Sequence, residues 1–384
     1  MKLAFISGLC VKHDAISASV YDSISVLRRD PANDVRLYAY SCDFANVPFK
    51  RVESVADIML DRFFQDADLV ILHFGVFNPL FNVIFLLRDR TPTIVWFHNI
   101  TPKAFVAPQH HEIIDRSFGQ VANMNWASHV VCDSDTNLRV LLDHGVEASA
   151  TVIPLSVAGL EALLARKPSH GDRRLRLLFI GRFVRSKGCD DLVDGCIAAA
   201  RRLPGIEIQI DIVGNSRFAE PAILARLRGL ATSWPADLPS NLSFRLHESL
   251  DEESKVALLK AADLFVLPTY HEGFCVTIVE AITFGCRVVA YANSNVPAIT
   301  RGMGTLVETG DVRALSDAIV ERVEEVASAQ WIESGYRAYA AICVEYAKDF
   351  SLERLATDMH RMVKRFARHP SASRESERDD LRAA

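Results

Sequence analysis

The stretch 263-DLFVLPTYHEGFCVTIVEA-281 contains the end of a strand, a loop and the start of a helix, and it decides the fold class of the chain. After Asp263, the run 264–268 is apolar on both faces, which is typical of a strand inside a parallel sheet. Pro268 ends this strand, and a helical pattern begins near Cys275. In such a unit the first amides of the helix point out of its amino terminus, where they favour a bound anion.

Two series of short apolar strands alternate with helical segments along the chain. The first series is 2–7, 35–40, 68–74, 93–97, 128–132 and 150–154. The second is 175–181, 206–214, 242–246, 263–268, 287–292 and 304–308. Such alternation predicts an α/β architecture of parallel sheets covered by helices. We therefore expect two doubly wound, Rossmann-like domains, with the ligand site in the cleft at the carboxyl ends of the strands.

The domain boundaries follow from these patterns. We place one Rossmann-like domain at 1–158, a linker at 159–174 and a second Rossmann-like domain at 175–346. An amphipathic pattern predicts a C-terminal helix within 347–369. The polar, charged segment 370–384 predicts a disordered tail.

Composition limits the classes of function. The chain has 384 residues, of which 49% are hydrophobic, and a net charge of −5, so it lacks the basic excess of a nucleic-acid-binding protein. No signal peptide is recognisable, and no uninterrupted apolar run approaches the roughly 20 residues that cross a bilayer. The eight cysteines form no C-x-x-C pair. We expect reduced, buried thiols in a cytoplasmic protein.

A second charged loop follows the strand 175–181. It contains Gly181 and Arg182, then Lys187 and Gly188, and a helix follows. Two cations beside a glycine turn at the amino end of a helix suit a diphosphate. The alternative is that both cations are solvated loop charges.

Glu272 and Glu280 bracket an apolar helix start, where carboxylates rarely lie unless something pairs with them. In a functional interpretation Glu272 lies close to a phosphate-linked group and Glu280 accepts hydrogen bonds from a ribose. In a structural one, Glu272 complements the helix dipole and Glu280 pairs with a buried cation.

The pattern E-G-F-x5-E-A-x3-G, from Glu272 through Glu280 to Gly285, resembles the E-x7-E signature of the retaining glycosyltransferases of family 4, which have the GT-B fold. The segment 98-HNITP-102 resembles a variant common in bacterial polysaccharide assembly. The resemblance covers most of the chain. It implies two Rossmann-like domains that face a central cleft, with the C-terminal helix crossing back to the first, acceptor-side domain.

The resemblance also implies roles for individual residues. Arg182 and Lys187 would hold the diphosphate of the donor, and Glu272 the hydroxyls of the transferred sugar. His98 would reach the sugar or its phosphate, although a histidine satisfied by its own loop is the alternative. Glu280 would hold the ribose. The other implied donor-binding positions are Gly8, Gly181, Gly214, Gly273, Phe274, Cys275 and Val276. No protein nucleophile is assigned.

We predict no metal and no cofactor beyond the nucleotide-diphosphate sugar. The triplet Asp133-Ser134-Asp135 matches the D-x-D pattern that holds a metal in another glycosyltransferase fold class. Here it lies between a strand and a helix, where Ser134 or Asp135 suits the helix cap. Arg182 and Lys187 already supply the positive charge of a metal.

We therefore expect a retaining glycosyltransferase of bacterial polysaccharide synthesis that transfers a sugar from a nucleotide-diphosphate sugar to a saccharide or lipid-linked saccharide. We expect a cytoplasmic protein with peripheral membrane contact on the inner face, through Lys12 and 101-TPKAFVAPQHH-111. A sugar-nucleotide epimerase or a glycan phosphorylase would fit the motifs less well. The other alternative is a non-catalytic sugar-nucleotide-binding protein or partner subunit. The departures from the family pattern at Asn293, Asn295 and Ala298 favour it mildly.

Overall fold

The computed structural model describes residues 1–12, 14–88, 90–157, 167 and 174–367. The chain divides into two compact units. The first contains Met1–Ile100, Pro108–Ser156 and the chain from Leu352 onwards, and the second contains Thr101–Ala107 and Val157–Ser351. The predicted tail 370–384 lies outside the described residues, as does the predicted linker 159–174 except for residues 167 and 174.

The first unit is built on parallel strands. They are β1 (Lys2–Ile6), β2 (Leu9–Cys10), β3 (Asp34–Ala39), β4 (Ser41–Cys42), β5 (Phe49–Arg51), β6 (Leu69–Phe74), β7 (Thr93–Phe97), β8 (His129–Cys132) and β9 (Ala150–Val152). Its helices before residue 157 are α1 (Ala15–Leu27), α2 (Val55–Met59), α3 (Arg62–Gln65), α4 (Ile84–Leu87), α5 (His111–Val121) and α6 (Asp135–Asp143). The main sheet has the order β5-β3-β1-β6-β7-β8-β9, and β2 pairs separately with β4. β6 and β7 are buried along their whole length, which explains their uninterrupted apolar sequence.

The second unit is a second parallel sheet. Its strands are β10 (Arg174–Ile180), β11 (Glu207–Gly214), β12 (Leu242–Glu248), β13 (Leu264–Leu267), β14 (Arg287–Tyr291) and β15 (Gly304–Val307). Its helices are α7 (Cys189–Arg202), α8 (Pro221–Thr232), α9 (Glu252–Ala261), α10 (Val276–Thr283), α11 (Val296–Thr300), α12 (Val312–Ala327) and α13 (Tyr336–Lys348). The strand order is β12-β11-β10-β13-β14-β15. Strands β11 and β12 are added on one side of β10, and strands β13 to β15 on its other side, so the order switches between β10 and β13. In doubly wound sheets this switch point is where ligands bind, and both charged loops predicted from sequence leave it.

The last described helix, α14 (Leu352–Phe366), belongs to the first unit and packs on α1. Leu355, Met359 and Val363 share one hydrophobic cluster with Val20 and Ile24 of α1. Burying this stripe fixes α14 against α1. Among the described residues, no helix is long and apolar enough to cross a membrane.

Candidate functional site

The loop after β10 and the loop after β13 are held together in the second unit. The amide of Tyr270 donates to the carbonyl of Ser186 at 2.8 Å, and the hydroxyl of Thr269 donates to the same oxygen at 3.1 Å. Gly188 has a φ of +66°, and a Cβ there would lie 1.9 Å from the carbonyl oxygen of Pro268. Only glycine fits this approach, so the glycine turn is what brings the basic loop onto 269–274.

Lys187 and Glu272 form an ion pair at the centre of this arrangement. Their Nζ and Oε1 atoms are 2.5 Å apart, and their side chains are 17% and 10% exposed. Such partial burial strengthens the interaction relative to a surface pair. Arg182 is exposed, and its guanidinium forms no ion pair with any residue that the structure describes. The site therefore offers one cation held by a carboxylate and one cation open to an anionic ligand.

The start of α10 is strained. Cys275, the residue before the helix, has φ 77° and ψ 62°, a left-handed conformation that costs a non-glycine residue about 1–3 kcal/mol. The side-chain amide of Asn295 donates to the carbonyl of Phe274 at 2.9 Å and helps to hold this conformation. Burial raises the pKa of the Cys275 thiol, so it stays neutral. The amide of Ile278 donates to the carbonyl of Cys275 at 3.2 Å, so the amides of Val276 and Thr277 precede the first bond of this turn and are suited to an anion.

One of the predicted glycines, Gly214, is required by packing. A Cβ at Gly214 would lie 2.4 Å from the carbonyl oxygen of Gly181 and 2.6 Å from the ring of Phe183. The amide of Gly181 donates to the carbonyl of Val213 at 3.0 Å. Gly273 is buried in the loop before α10. In the first unit, a Cβ at Gly8 would lie 3.1 Å from the side-chain nitrogen Nδ2 of Asn78.

Glu280 pairs with Lys255 at 2.8 Å, and Lys255 also contacts Glu252 at 2.8 Å. This partly buried cation is the partner that the structural interpretation of Glu280 required. Burial raises the pKa of Glu280 against the opposing effect of Lys255. Burial lowers the pKa of Lys255, but the two glutamates outweigh it and raise the pKa overall. Sequence reasoning missed Lys255, whose signal was its position one turn before the buried Leu259 on α9.

The loop that departs from the family pattern supports the site. The side-chain amide of Asn293 donates to the carbonyl of Thr269 at 2.7 Å and to the hydroxyl of Thr309 at 3.0 Å. Together with the bond from Asn295, this contact ties 293–298 to the loop after β13. Both asparagines therefore have structural roles that a smaller residue would not perform.

In the first unit, His98 lies in a buried chain of polar groups. Its Nδ1 is 2.9 Å from Oδ2 of Asp133, and its Nε2 is 2.8 Å from Nδ1 of His73. The indole of Trp96 donates to the other oxygen of Asp133 at 2.6 Å. Since a carboxylate only accepts, a neutral His98 carries its proton on Nδ1 and accepts from His73 through Nε2. The side chains of His98 and Asp133 are each 2% exposed, and burial lowers the pKa of His73 well below its usual value.

Both ring nitrogens of His98 thus already have protein partners, as in the alternative of a satisfied histidine. Its contact with the sugar remains a prediction. Sequence reasoning missed two of these hydrogen-bonded groups, His73 and the indole of Trp96. It had considered Asp133 only as part of the D-x-D triplet.

The D-x-D triplet takes up structural roles. Asp133 belongs to the buried chain, and Ser134 caps α6 by accepting from the amide of Asn137 at 3.1 Å. Asp135 is exposed in the first turn of the same helix. Within the part of the chain that the structure describes, no three His, Cys, Asp or Glu side chains are grouped to hold a metal ion.

The fold is that of known GT-B glycosyltransferase structures. Sucrose-phosphate synthase from Thermosynechococcus elongatus superposes with a TM-score of 0.66 at 17% identity, over 94% of this chain and 98% of that one. HepE from Anabaena, solved with UDP and glucose, gives 0.68 at 16% identity, over 95% and 99%. At such identities the likeness establishes the fold, and it confirms the predicted α/β GT-B class with two Rossmann-like sheets.

Residues 174–325 match the family model described as glycosyl transferases group 1. D-inositol 3-phosphate glycosyltransferase from Mycolicibacterium smegmatis is 30% identical over 210 residues, which are 53% of this chain and 45% of the relative. The chain thus spans less than half the length of this curated relative. The matches support a glycosyltransferase, which is an enzyme of the transferase class. The matched segment 174–325 contains both charged loops.

Proposed function

We propose that the chain is a nucleotide-sugar-dependent glycosyltransferase that transfers a sugar from a nucleotide-diphosphate sugar to a saccharide or lipid-linked saccharide. The observation that carries the proposal is the ion pair between Lys187 and Glu272, 2.5 Å long, at the switch point of the sheet within the matched segment. The pair joins a cation suited to a phosphate and an acceptor suited to sugar hydroxyls.

Catalysis in this proposal is electrostatic. Lys187 and Arg182 stabilise the negative charge that grows on the diphosphate as the glycosidic bond breaks, and the amides at the start of α10 add to this effect. Glu272 holds Lys187 in position before the donor binds, which lowers the cost of reorganisation during the reaction. The cations fill the role of a metal. We propose retention of configuration, by attack on the face from which the phosphate departs, with no protein nucleophile.

Glu280 holds the ribose in this proposal. A carboxylate can accept about four hydrogen bonds, so the ion pair with Lys255 leaves room for ribose hydroxyls. Lys255 then keeps the buried carboxylate charged and oriented.

We place the acceptor in bacterial polysaccharide synthesis, at the inner face of the cytoplasmic membrane. The ring of Phe105 stacks on His271 with centroids 5.8 Å apart, so part of the predicted contact segment 101–111 is occupied within the second unit. We therefore assign the membrane contact of the first unit to another surface.

That surface carries exposed Phe85, Leu86 and Trp126. Phe85 and Trp126 pack edge to face at 5.6 Å, and the guanidinium of Arg88 lies 4.4 Å from the ring of Trp126. Aromatic rings beside arginines suit the headgroup region of an anionic bilayer. We expect flotation with anionic vesicles, weaker with neutral ones and weaker for Trp126→Ser. Flotation unchanged in that variant would contradict this assignment.

The proposed function is tested by a thermal-shift panel with UDP, GDP, ADP, CMP and their sugar conjugates. A nucleotide that binds only the folded state raises the melting temperature, by an amount that depends on its concentration relative to Kd. We expect one nucleotide to stabilise wild type and to act more weakly on Glu280→Gln. Glu207→Gln is the matched control, because Glu207 is an exposed carboxylate of the same unit, on strand β11.

Turnover separates the proposal from its alternative. The polar residues at 293–295, which had favoured a non-catalytic protein, are explained by hydrogen bonds to the site loops. With the nucleotide sugar identified by the panel, we expect release of the nucleoside diphosphate to increase when saccharide acceptors are added. Binding without any transfer would identify the chain as a non-catalytic sugar-nucleotide-binding protein, and no response to any nucleotide would reject the proposed donor site.

A further inference from the structure

Cys10 and Cys42 face each other in the small two-stranded sheet of the first unit. β2 and β4 run parallel, and Cys10 is the register partner of Cys42. Backbone hydrogen bonds fix this register on either side. The amide of Tyr40 donates to the carbonyl of Gly8, and that of Asp43 donates to the carbonyl of Cys10, both at 2.9 Å.

This register places the two thiols within reach of each other. Neighbouring strands lie about 4.8 Å apart, and register partners present their side chains on the same face. Disulfide-bonded cysteines have Cα atoms about 4.4–6.8 Å apart, so the backbone needs little movement. Both cysteines are free thiols in this structure, and Cys42 packs against the hydrophobic cluster that contains Cys10. We propose that Cys10 and Cys42 are a reversible redox site. They form a disulfide with each other by exchange with a low-molecular-weight disulfide such as oxidised glutathione.

The two cysteines differ in a way that orders the reaction. Cys42 is partly exposed, whereas Cys10 is fully buried. Burial, with contributions from Cys42, Asp14 and Asp43, raises the pKa of the Cys10 thiol. The thiolate is the attacking species, so Cys42 reacts first and Cys10 resolves the intermediate.

The exchange balances without any other reactant. The Cys42 thiolate attacks one sulfur of oxidised glutathione, which forms a mixed disulfide and releases one glutathione thiolate. Cys10 then gives up its proton and attacks Sγ of Cys42, which releases the second glutathione thiolate. In total two protein thiols are oxidised to one disulfide, and one glutathione disulfide is reduced to two glutathione molecules that take up the two protons.

Forming the disulfide would restrain the loop that follows β1. Cys10 belongs to 8–12, and Cys42 belongs to the segment after β3, so the bridge ties the two loops together covalently. The other six cysteines are buried, so Cys42 is the free cysteine with a partly exposed thiol. The inference is independent of the proposed glycosyltransferase activity.

Mass spectrometry of the full chain tests the inference. The chain is equilibrated in glutathione buffers of increasing oxidised fraction, free thiols are alkylated, and the protein is digested with trypsin. Cleavage after Lys2, Lys12, Arg36 and Lys50 places Cys10 in peptide 3–12 and Cys42 in peptide 37–50, each without another cysteine. We expect a disulfide-linked pair of these peptides that disappears with dithiothreitol, and a higher melting temperature for the oxidised chain.

Variants complete the test. Cys42→Ser, at a partly exposed position, should abolish both the linked peptides and the shift in melting temperature. Cys196→Ser, at a buried position on α7, should retain both. If Cys10 stays alkylated in wild type at every glutathione ratio, the inference is wrong. It is also wrong if Cys42 carries glutathione while Cys10 remains a free thiol.

Discussion

Replacing Lys255 by methionine would leave the carboxylate of Glu280, which is 8% exposed, without its ion-pair partner. Removing one partner of a fully buried pair costs about 3–5 kcal/mol. The side chain of Lys255 is 20% exposed, so we reduce this to about 2–3 kcal/mol. Glu280→Gln should cost less, about 1 kcal/mol, because Lys255 keeps its contact with Glu252. The double variant should cost about 1–2 kcal/mol, since neither charge of the pair remains.

Thermal and urea unfolding of the four proteins measure this cycle. A loss of 1 kcal/mol lowers the melting temperature of a domain of this size by about 2–4 °C, so Lys255→Met should melt about 4–12 °C below wild type. Its penalty should shrink as the pH falls towards the ordinary pKa of a carboxyl group. Burial raises the pKa of Glu280, so the folded state binds the proton more tightly than the unfolded state and loses stability as the pH rises. A protonated Glu280 needs no cation.

The cycle has a clear contrary outcome. If the two single substitutions cost the same and their effects add in the double variant, the two charges are not coupled. A penalty for Lys255→Met that is constant from about pH 5 to pH 8 would refute the pH argument, because the ionisation of Glu280 would then not matter.

Three further predictions concern the site and the two sheets. Lys187→Met should lower kcat about 100–1,000-fold in the transfer assay, as for the loss of one electrostatic donor, and an unchanged kcat would remove Lys187 from catalysis. Gly214→Ala should destabilise the chain in urea by about 1–3 kcal/mol because its Cβ meets the backbone, whereas Gly229→Ala, at an open helical position, should be neutral or stabilising. Burial lowers the pKa of His73, so below about pH 6.5 the unfolded chain binds a proton at this residue that the folded chain does not, and wild type should lose stability. The melting temperature of His73→Phe should therefore depend less on pH.

The long buried strands could be predicted from the sequence. The run 93–97 corresponds to β7 without change, and 68–74 differs from β6 by one residue. Both strands are covered on both faces, so their sequences are apolar throughout. The pairing of β2 with β4 could not be predicted in this way, because strands of two residues have no periodicity to detect. Their pairing depends on where β1 and β3 end.

The positions of the charged loops could also be predicted, but the partners of their residues could not. Both loops follow strands, and the carboxyl ends of parallel strands share one edge of a sheet. Lys187 and Glu272 are 85 residues apart, and Lys255 and Glu280 are 25 apart. Which of these side chains meet depends on the order of the strands, with β10 next to β13, and that order is a property of the folded sheet.

The partners of His98 could have been predicted from the local periodicity of its strand and the register of its neighbours. Trp96 and His98 are two residues apart at the end of β7, so an extended backbone turns both rings to one face. His73 is the register partner of Trp96 on β6, and Asp133 follows β8 directly. These groups therefore meet inside the first sheet. Both ring nitrogens of His98 and both oxygens of Asp133 have partners there, whereas Nε2 of His73 has none among the described residues. A ligand that binds to Nε2 of His98 must first replace the hydrogen bond from His73, so binding of this kind would leave the buried His73 without its partner.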